Sequence, residues 1–462
     1  MGRRKQILKT LKSGLVRMYT CGPTVYDYPH LGHFRAYVFV DVLRRVLKFN
    51  GLQIKQVMNI TDVGHLTSDA DTGEDKVEKK AREEKKTAWD ISKFYTKIFF
   101  EDMKKLNVQK PEIIPKATEH IKDMIEFIKK IEKNNYTYRT NDGIYFDTSK
   151  LNSYGKLAGL DKKKIEELKP GARIRFSKEK KNVTDFVLWK FSPKNAKRHM
   201  EWESPWGIGF PGWHIECSVM SIKYLGETFD IHTGGVDHIA IHHSNEIAQA
   251  EAVTGKNPAS FWVHNDFVMV NREKMAKSKR NFYMMKDIKS RGFEPLALRY
   301  LFLTTHYRSK MNFTWKSLSA AEQALSTLHE NILILKKPDK TNTKNARVEF
   351  YKTEFLKAIN DDLNTSKALK VLWNLIRQEK DINNKDKLKL ILEFDEVLGL
   401  RLKDVKPEKI ELSKEVKELI KKREEARKNG DYKTSDRIRK RLKEDFGIIL
   451  EDTPEGIKLR KK

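Results

Sequence analysis

Two cysteines, Cys21 and Cys217, each stand in a Gly-rich turn with histidines close by. Cys21 opens TCGPTVYDYPHLGH (20–33), which also carries His30, Gly32 and His33. Cys217 lies in FPGWHIECSVMS (210–221), and FDIHTGGVDHIAIHHSNEIAQAEA (229–252) follows with four histidines and Glu246. His242 and Glu246 are four residues apart, so on a helix both face one side and suit a single ion. Two thiolates, one imidazole and one carboxylate form a set that zinc accepts. The plainer alternative is two buried apolar thiols. His232, His238 and His243, taken singly, read as core histidines or as groups that support the ligands. Nothing points to a secreted chain, so a disulfide is not the expectation.

His30, Gly32 and His33 offer a second kind of chemistry. A helix start presents unpaired N–H groups and partial positive charge, and so attracts phosphate. Two imidazoles there can donate to oxygens that gain charge during nucleotidyl transfer. Gly32 leaves room for a flat base against the backbone. The alternative is two polar residues on a surface turn. Far downstream, KMAKSKR (274–280) gathers Lys274, Lys277, Ser278, Lys279 and Arg280. It reads either as a second phosphate-binding element or as a solvated basic loop.

The elements that must hold these residues follow from periodicity. A short apolar run leads into the opening turn. HFRAYVFVDVLRRVLKFN (33–50) then reads as a helix on Ala36, Phe39, Val40, Leu43 and Leu47, widened by Val38, Val42 and Val46, with Gly51 as its cap. LQIKQVMNI (52–60) reads as a strand. Strand, turn, helix and strand make a βαβ unit with a parallel sheet, whose ligands gather at the C-terminal strand ends. Residues 66–86 read as a charged loop, and 88–106 and 117–133 as helices. YTYRTNDGIYFDT (136–148) reads as a hairpin turning at Asn141-Asp142-Gly143. Strands resume at DFVLWKF (185–191) and continue to about 270. From about 295 the pattern is almost wholly helical, with a linker at 336–345. Amphipathic segments follow at 347–359, 364–379, 385–398, 413–429 and 431–445, then a hairpin-like tail.

Length and charge bound the rest. A chain of 462 residues is expected to hold two to four domains. Its 92 Lys and Arg against 64 Asp and Glu leave a net charge of +28. That charge works against compaction unless a polyanion offsets it, so nucleic acid is the natural partner and an anionic membrane surface the alternative. No apolar run approaches the ~20 residues that cross a bilayer. MGRRKQILKT has no signal-peptide core, and Gln6 argues against myristoylation. The cytoplasm is the expected compartment.

HLGH and KMAKS, in this order and separation, resemble the HIGH and KMSKS motifs of class I aminoacyl-tRNA synthetases. TCGPTVYDYPHLGH, NITD, DFVLWK, SPWG, PGWHIECS, FDIHTGG, HHSNEIAQ, RYLFLTTHYRS and EDTPEG together resemble the cysteinyl-tRNA synthetase family, from about residue 16 to the end. The resemblance implies an α/β fold: a Rossmann-like parallel-sheet catalytic domain with an inserted small α+β module, followed by an all-α helical-bundle C-terminal domain. The catalytic halves fall at 1–134 and 201–300, around an inserted connective module at 135–200. A helical stem-contact region and linker fall at 301–345, and a helical anticodon-binding domain with a C-terminal extension at 346–462.

The same resemblance implies site roles. His30 and His33 stabilise the α-phosphate of ATP, with Gly32 beside them, and Lys277 and Lys274 bind the departing pyrophosphate. One Zn2+ per chain is held by Cys21, Cys217, His242 and Glu246 and takes the thiolate of the L-cysteine substrate. Gly22, Thr61, Trp213, His232 and Asp237 surround that substrate, with Asp237 at its ammonium group. Mg2+ accompanies ATP, and tRNA-Cys is the macromolecular partner. Monomer and homodimer stay open. The chain departs from the family pattern at Ala276, Ile241, Ser244, the short N-terminal segment and the 63–76 loop. Two other readings share the catalytic fold: a ligase joining cysteine to an amino sugar, and a non-catalytic RNA-binding paralogue. The basic helical C-terminus favours tRNA over the sugar, and the intact motifs speak against the paralogue.

Overall fold

The structure, a computed structural model, describes residues 5–64, 75–160, 179–193, 198–275, 281–407, 413–453 and 456–461. The chain forms two compact units, 1–403 and 404–462.

The first unit is built on a parallel sheet. Strand β1 (Leu15–Thr20) leads through helix α1 (Leu31–Phe49) to β2 (Gln53–Met58). Helices α2 (Lys76–Glu84), α3 (Ala88–Lys105) and α4 (Ile121–Lys133) follow. Then come β3 (Thr137–Arg139), β4 (Gly143–Phe146), β5 (Phe186–Phe191) and β6 (Gly209–Pro211). Helix α5 (Trp213–Leu225), β7 (Phe229–Gly235), α6 (His242–Thr254) and β8 (Ala259–Asn265) complete the sheet, whose order is β2-β1-β7-β8. All its pairings are parallel, with Met18 beside Ile231 and Phe229 beside Ala259. The chain leaves β1 toward β2, while β7 lies on the other flank of β1. The C-terminal ends of β1 and β7 therefore flank a topological switch point, where ligands of open α/β sheets bind.

Valine-rich α1 gives up helix propensity to its β-branched residues. Burial on several sides offsets this, since Val38, Val40, Val42 and Val46 are all in the core. In α4 the stripe Ile121, Met124, Phe127, Ile128 and Ile131 is buried, at helical spacing. These residues join Tyr19, Val57, Phe186, Leu188, Trp189 and Phe229 in one cluster linking the sheet to the inserted module.

Three regions differ from the sequence expectation. The charged stretch 66–86 contains α2, started by Asp75, whose side chain accepts from Val77 N and Glu78 N. The antiparallel sheet of the inserted module runs β3-β4-β5-β6, so its last strand lies beyond residue 200. A third sheet, β10-β9-β11, joins β9 (Val268–Val270), β10 (Glu273–Lys274) and β11 (Met311–Phe313), the last within a region expected to be helical.

Helices α7 (Met285–Ser290), α8 (Pro295–Leu303) and α9 (Trp315–Leu335) lead to α10 (Asn345–Asn360), α11 (Thr365–Arg377) and α12 (Asn384–Leu398). Of the helical stretch expected from 346, the part up to 403 thus belongs to the first unit. A buried arginine ties it there. Arg299 of α8 donates to Leu398 O at 2.7 Å, Leu106 O at 2.9 Å and Asp41 Oδ2 of α1 at 2.7 Å. The second unit pairs α13 (Lys414–Lys428) with α14 (Tyr432–Asp445) and a hairpin, β12 (Ile448–Thr453) and β13 (Gly456–Lys461). Val416, Leu419, Ile438, Leu442, Ile448 and Leu450 form its core. No helix among the described residues is long and apolar enough to cross a membrane.

Arg299→Met leaves Asp41 short of a partner in the core, so the variant should lose about 3–5 kcal/mol of stability. All eight tryptophans precede residue 404, so their fluorescence in urea reports the first unit. A loss below about 1 kcal/mol would show the network to be dispensable.

Candidate active site

The pairing of β1 with β7 brings the two cysteines together. Cys21 follows β1, and its N–H donates to Thr233 O of β7 at 3.3 Å. Cys217 lies on α5, and His242 and Glu246 on α6. Four donor atoms from Cys21, Cys217, His242 and Glu246 lie within 4.8 Å of one another, and all four residues are buried. The sulfurs are 3.9 Å apart, far outside disulfide length. Two sulfurs bound tetrahedrally to one zinc ion stand ~3.8 Å apart. His242 Nε2 is 3.1 Å from Glu246 Oε1, and Cys21 Sγ is 3.8 Å from the same oxygen. Tetrahedral edges of ~3.3 Å and ~3.6 Å are expected for such pairs. The donor set and its spacing fit zinc.

The electrostatics agree. Burial raises the Glu246 carboxyl, but His232 and His242 more than reverse this and hold it well below the usual range. The Cys217 thiol is lowered, first by its hydrogen bond with Cys21. Burial pulls His242 down, yet Glu246 and Cys217 together lift it to about 10. Burial, with Cys217 and Glu246 beside it, pushes the Cys21 thiol the other way, well above its usual value, so the anion-favouring pair is Cys217 and Glu246, with His242 beside both.

Supporting contacts fix the donors. His214 Nδ1 and His242 Nδ1 are 2.8 Å apart, which leaves His242 Nε2 toward Glu246. His232 Nε2 meets Glu246 Oε2 at 2.8 Å, and its ring stacks on Trp262. His232, expected among the residues around the substrate, is wholly buried and packs against Glu246. His243 Nε2 is 3.5 Å from Cys21 Sγ, and Cys21, His232, His243 and Glu246 form a second donor group sharing two members with the first. Burial among other imidazoles holds His243 well below its usual pKa.

Sequence reasoning missed Asn59. Its Oδ1 accepts from Gly22 N at 2.8 Å and lies 3.8 Å from Cys217 Sγ. Its Nδ2 donates to Thr61 Oγ1, which donates to Glu216 Oε2 at 2.8 Å. Asn59 and Thr61 sit two apart in NITD, Glu216 and Cys217 side by side in HIEC, and that spacing was the available signal. Gly22 is needed for close approach, because a Cβ there would sit 1.5 Å from Asn59 O. Trp213 lies over His242, ring centroids 4.4 Å apart. Asp237 is exposed on the turn after β7.

At the other end of the turn, His30 caps α1. Its Nδ1 accepts from Gly32 N at 3.0 Å, and His33 Nδ1 accepts from His30 N at 3.3 Å. Because each Nδ1 accepts, each neutral ring carries its proton on Nε2, the atom left to donate. Burial takes His33 down to about 4, against smaller opposing effects of Asp237 and Asp27. A Cβ on Gly32 would lie 2.9 Å from the His30 ring and 3.3 Å from Met275 Cε. Met275, the second residue of KMAKS, therefore lies over this helix start. Leu31 N donates to Tyr283 O at 3.1 Å, and Phe282 contacts the His30 ring. Lys274 is exposed on β10. Lys277 lies outside the described residues.

Residues 7–323 match a family profile described as tRNA synthetases class I (C) catalytic domain, and residues 354–403 match the DALR domain. A protein of Burkholderia lata named Cysteine--tRNA ligase 1 is 48% identical, over 97% of this chain and 93% of its own length. The Cysteine--tRNA ligase of Treponema denticola is 44% identical, over 98% and 96%. Among solved structures, Mycobacterium tuberculosis methionyl-tRNA synthetase with methionyl-adenylate superposes with TM-score 0.56 at 12% identity, covering 84% of this chain and 90% of that one. That likeness speaks for the fold.

The cap geometry sets a spectroscopic expectation. Nitrogen NMR of the histidines should find the Nε2–H tautomer at His30 and His33. His33 should stay neutral down to about pH 5, below the unperturbed midpoint near 6.5. A His33 ring that charges near pH 6.5 would contradict a buried cap.

Proposed function

The chain belongs to the cysteine--tRNA ligase family of class I aminoacyl-tRNA synthetases, and from that premise we propose that it activates L-cysteine with ATP and Mg2+ and charges tRNA-Cys. In the first step a cysteine carboxylate oxygen attacks the α-phosphorus of ATP. The bond to the bridging oxygen breaks, and pyrophosphate leaves with its electron pair. In the second a ribose hydroxyl of the tRNA 3′ end attacks the carbonyl carbon of the adenylate, and AMP leaves. The observation carrying this reading is the clustering of Cys217, His242 and Glu246 about Cys21, which lies on the turn that also places His30 and His33.

His30 and His33 present Nε2–H donors to the α-phosphate, whose oxygens gain charge as the carboxylate attacks. Gly32 keeps the helix start open to the nucleotide. Lys274 and Lys277 take the pyrophosphate. Asp237 receives the ammonium group of cysteine, Trp213 forms an apolar wall, and Gly22 and Thr61 complete the turn around the substrate. Cys21, Cys217, His242 and Glu246 hold one zinc ion, with His232 fixing the carboxylate. Bound zinc supplies an acceptor for a thiolate that a neutral hydroxyl does not match, which separates cysteine from serine where shape alone would not. The DALR match at 354–403 supports tRNA as the acceptor over a free amino sugar.

Amino-acid-dependent ATP–pyrophosphate exchange across the twenty amino acids should respond to cysteine alone. Cys217→Ser should retain the fold, lose zinc by elemental analysis and fall to about 1% of wild-type exchange or less. Full zinc content in that variant would refute the ligand assignment. Lys277→Ala should slow exchange about 10²–10³-fold while tRNA affinity, read by filter binding, stays put. An exchange rate within twofold of wild type would remove Lys277 from the reaction.

A further inference from the structure

Arg35 lies two residues past His33 on α1 and is almost wholly buried. Its partners are backbone carbonyls. Nη1 donates to Asp266 O at 3.0 Å and to Phe267 O at 2.8 Å. Nη2 donates to His306 O at 3.1 Å and to Ser309 O at 2.5 Å. One planar guanidinium thus grips two turns, and a fork of fixed donors is what such a grip requires.

The two turns have a common end. Asp266 and Phe267 lead into β9, and His306 to Ser309 lead into β11. The turns are also joined directly, since Asp266 N donates to Tyr307 O at 2.8 Å and Met311 N to Phe267 O at 3.0 Å. Strands β9 and β11 pair in parallel, and β9 carries β10, with Met269 opposite Lys274. Arg35 therefore holds one end of the small sheet that presents Lys274, and holds it to the helix that presents His30 and His33. Downstream, Asn281 Nδ2 donates to Lys274 O at 3.2 Å, and Tyr283 O accepts from Leu31 N. The stretch on either side of KMAKS is thereby fastened to the start of α1, before it through Arg35 and after it through Leu31.

The same turn receives the helical region. His306 Nε2 meets Asp362 O at 2.9 Å, and Tyr307 Oη donates to Asp362 Oδ1. Asp362 lies within the DALR match, and Asp362 and Leu363 both adopt positive φ, near +57°. Non-glycine residues persist in that conformation where surrounding contacts over-determine it.

We infer that Arg35 is a positioning residue for adenylate formation: it sets the distance between the His30–His33 pair and Lys274 on β10. It touches no reacting atom. The inference rests on the pyrophosphate role proposed above for Lys274. A misplacement of about 1 Å can cost 10²-fold in rate, which is the scale expected here.

Zinc-loaded wild type, Arg35→Met and Arg35→Lys are compared in cysteine-dependent ATP–pyrophosphate exchange. Arg35→Met should lower kcat about 100-fold and raise KM for pyrophosphate. Its KM for cysteine and its zinc content should match wild type. Arg35→Lys keeps the charge with three donors in place of the fork, so it should fall between the two. Should Arg35→Met fail to fold, Arg35→Lys carries the test with the same signature at about 10-fold. Wild-type exchange with a variant kcat within threefold would overturn the inference and leave the proposed function standing. So would loss of cysteine affinity or zinc in step with kcat, which marks a general structural role. An inactive wild type would instead sink the proposed function, and this inference with it.

Discussion

The parallel pairing of β1 with β7 is the constraint on which the rest depends. It places Met18 beside Ile231, more than two hundred residues apart in sequence. Without it Cys21 has no route to Cys217 or to Glu246. The pairing makes the switch point, and the switch point makes the crevice. The donor groups are in turn costly to hold. A buried carboxylate and a thiol that favours its anion are stable together only beside positive charge. His242 supplies it, lifted to about 10.

Helix α1 carries the geometry from one end of the site to the other. At its start the capping hydrogen bonds are made by the Nδ1 atoms of His30 and His33. The cap and the proposed chemistry therefore use opposite edges of the same rings, and the fold fixes the Nε2–H tautomer of both. One turn later Arg35 fixes the β9–β11 turns. In mid-helix Asp41 accepts from both Arg45 and Arg299 at 2.7 Å, which ties α1 to α8 and to the end of α12. A single helix thus carries the His30–His33 cap, the hold on the β9–β11 turns and the tie to the helical region in succession.

Much of this was legible in the sequence, for identifiable reasons. The 3.6-residue stripes of α1 and α4 announce helices because burial enforces the period. His242 and Glu246 could be paired because four residues on a helix is a fixed distance. What stayed hidden depends on contacts between distant segments. Asn59 looks like any polar residue after a strand until β2 lies beside β1. Arg35 looks like a surface cation in a chain of net charge +28, and only its four carbonyls say otherwise. Helix α2 was obscured because its composition is that of a solvated loop, with Val77 and Ala81 as its buried apolar anchors. The division after residue 403 had no signal in periodicity, since helices run on both sides of it.

The two donor groups around Cys21 bear on how selectively the site is built. They share Cys21 and Glu246, and differ by Cys217 and His242 against His232 and His243. A cation could in principle sit toward either pair. Three features favour the first. It contains two sulfurs rather than one, which suits a borderline-soft ion. His232 Nε2 already bonds Glu246 Oε2, and that bond leaves Oε1 for His242 and Cys21. His243 is turned to His264, its Nδ1 2.8 Å from that ring, and both imidazoles are held neutral by burial, His264 at about 3. The second group is therefore better described as the wall that orients the first. Its imidazoles fix Glu246 through His232 and lie against Cys21 through His243.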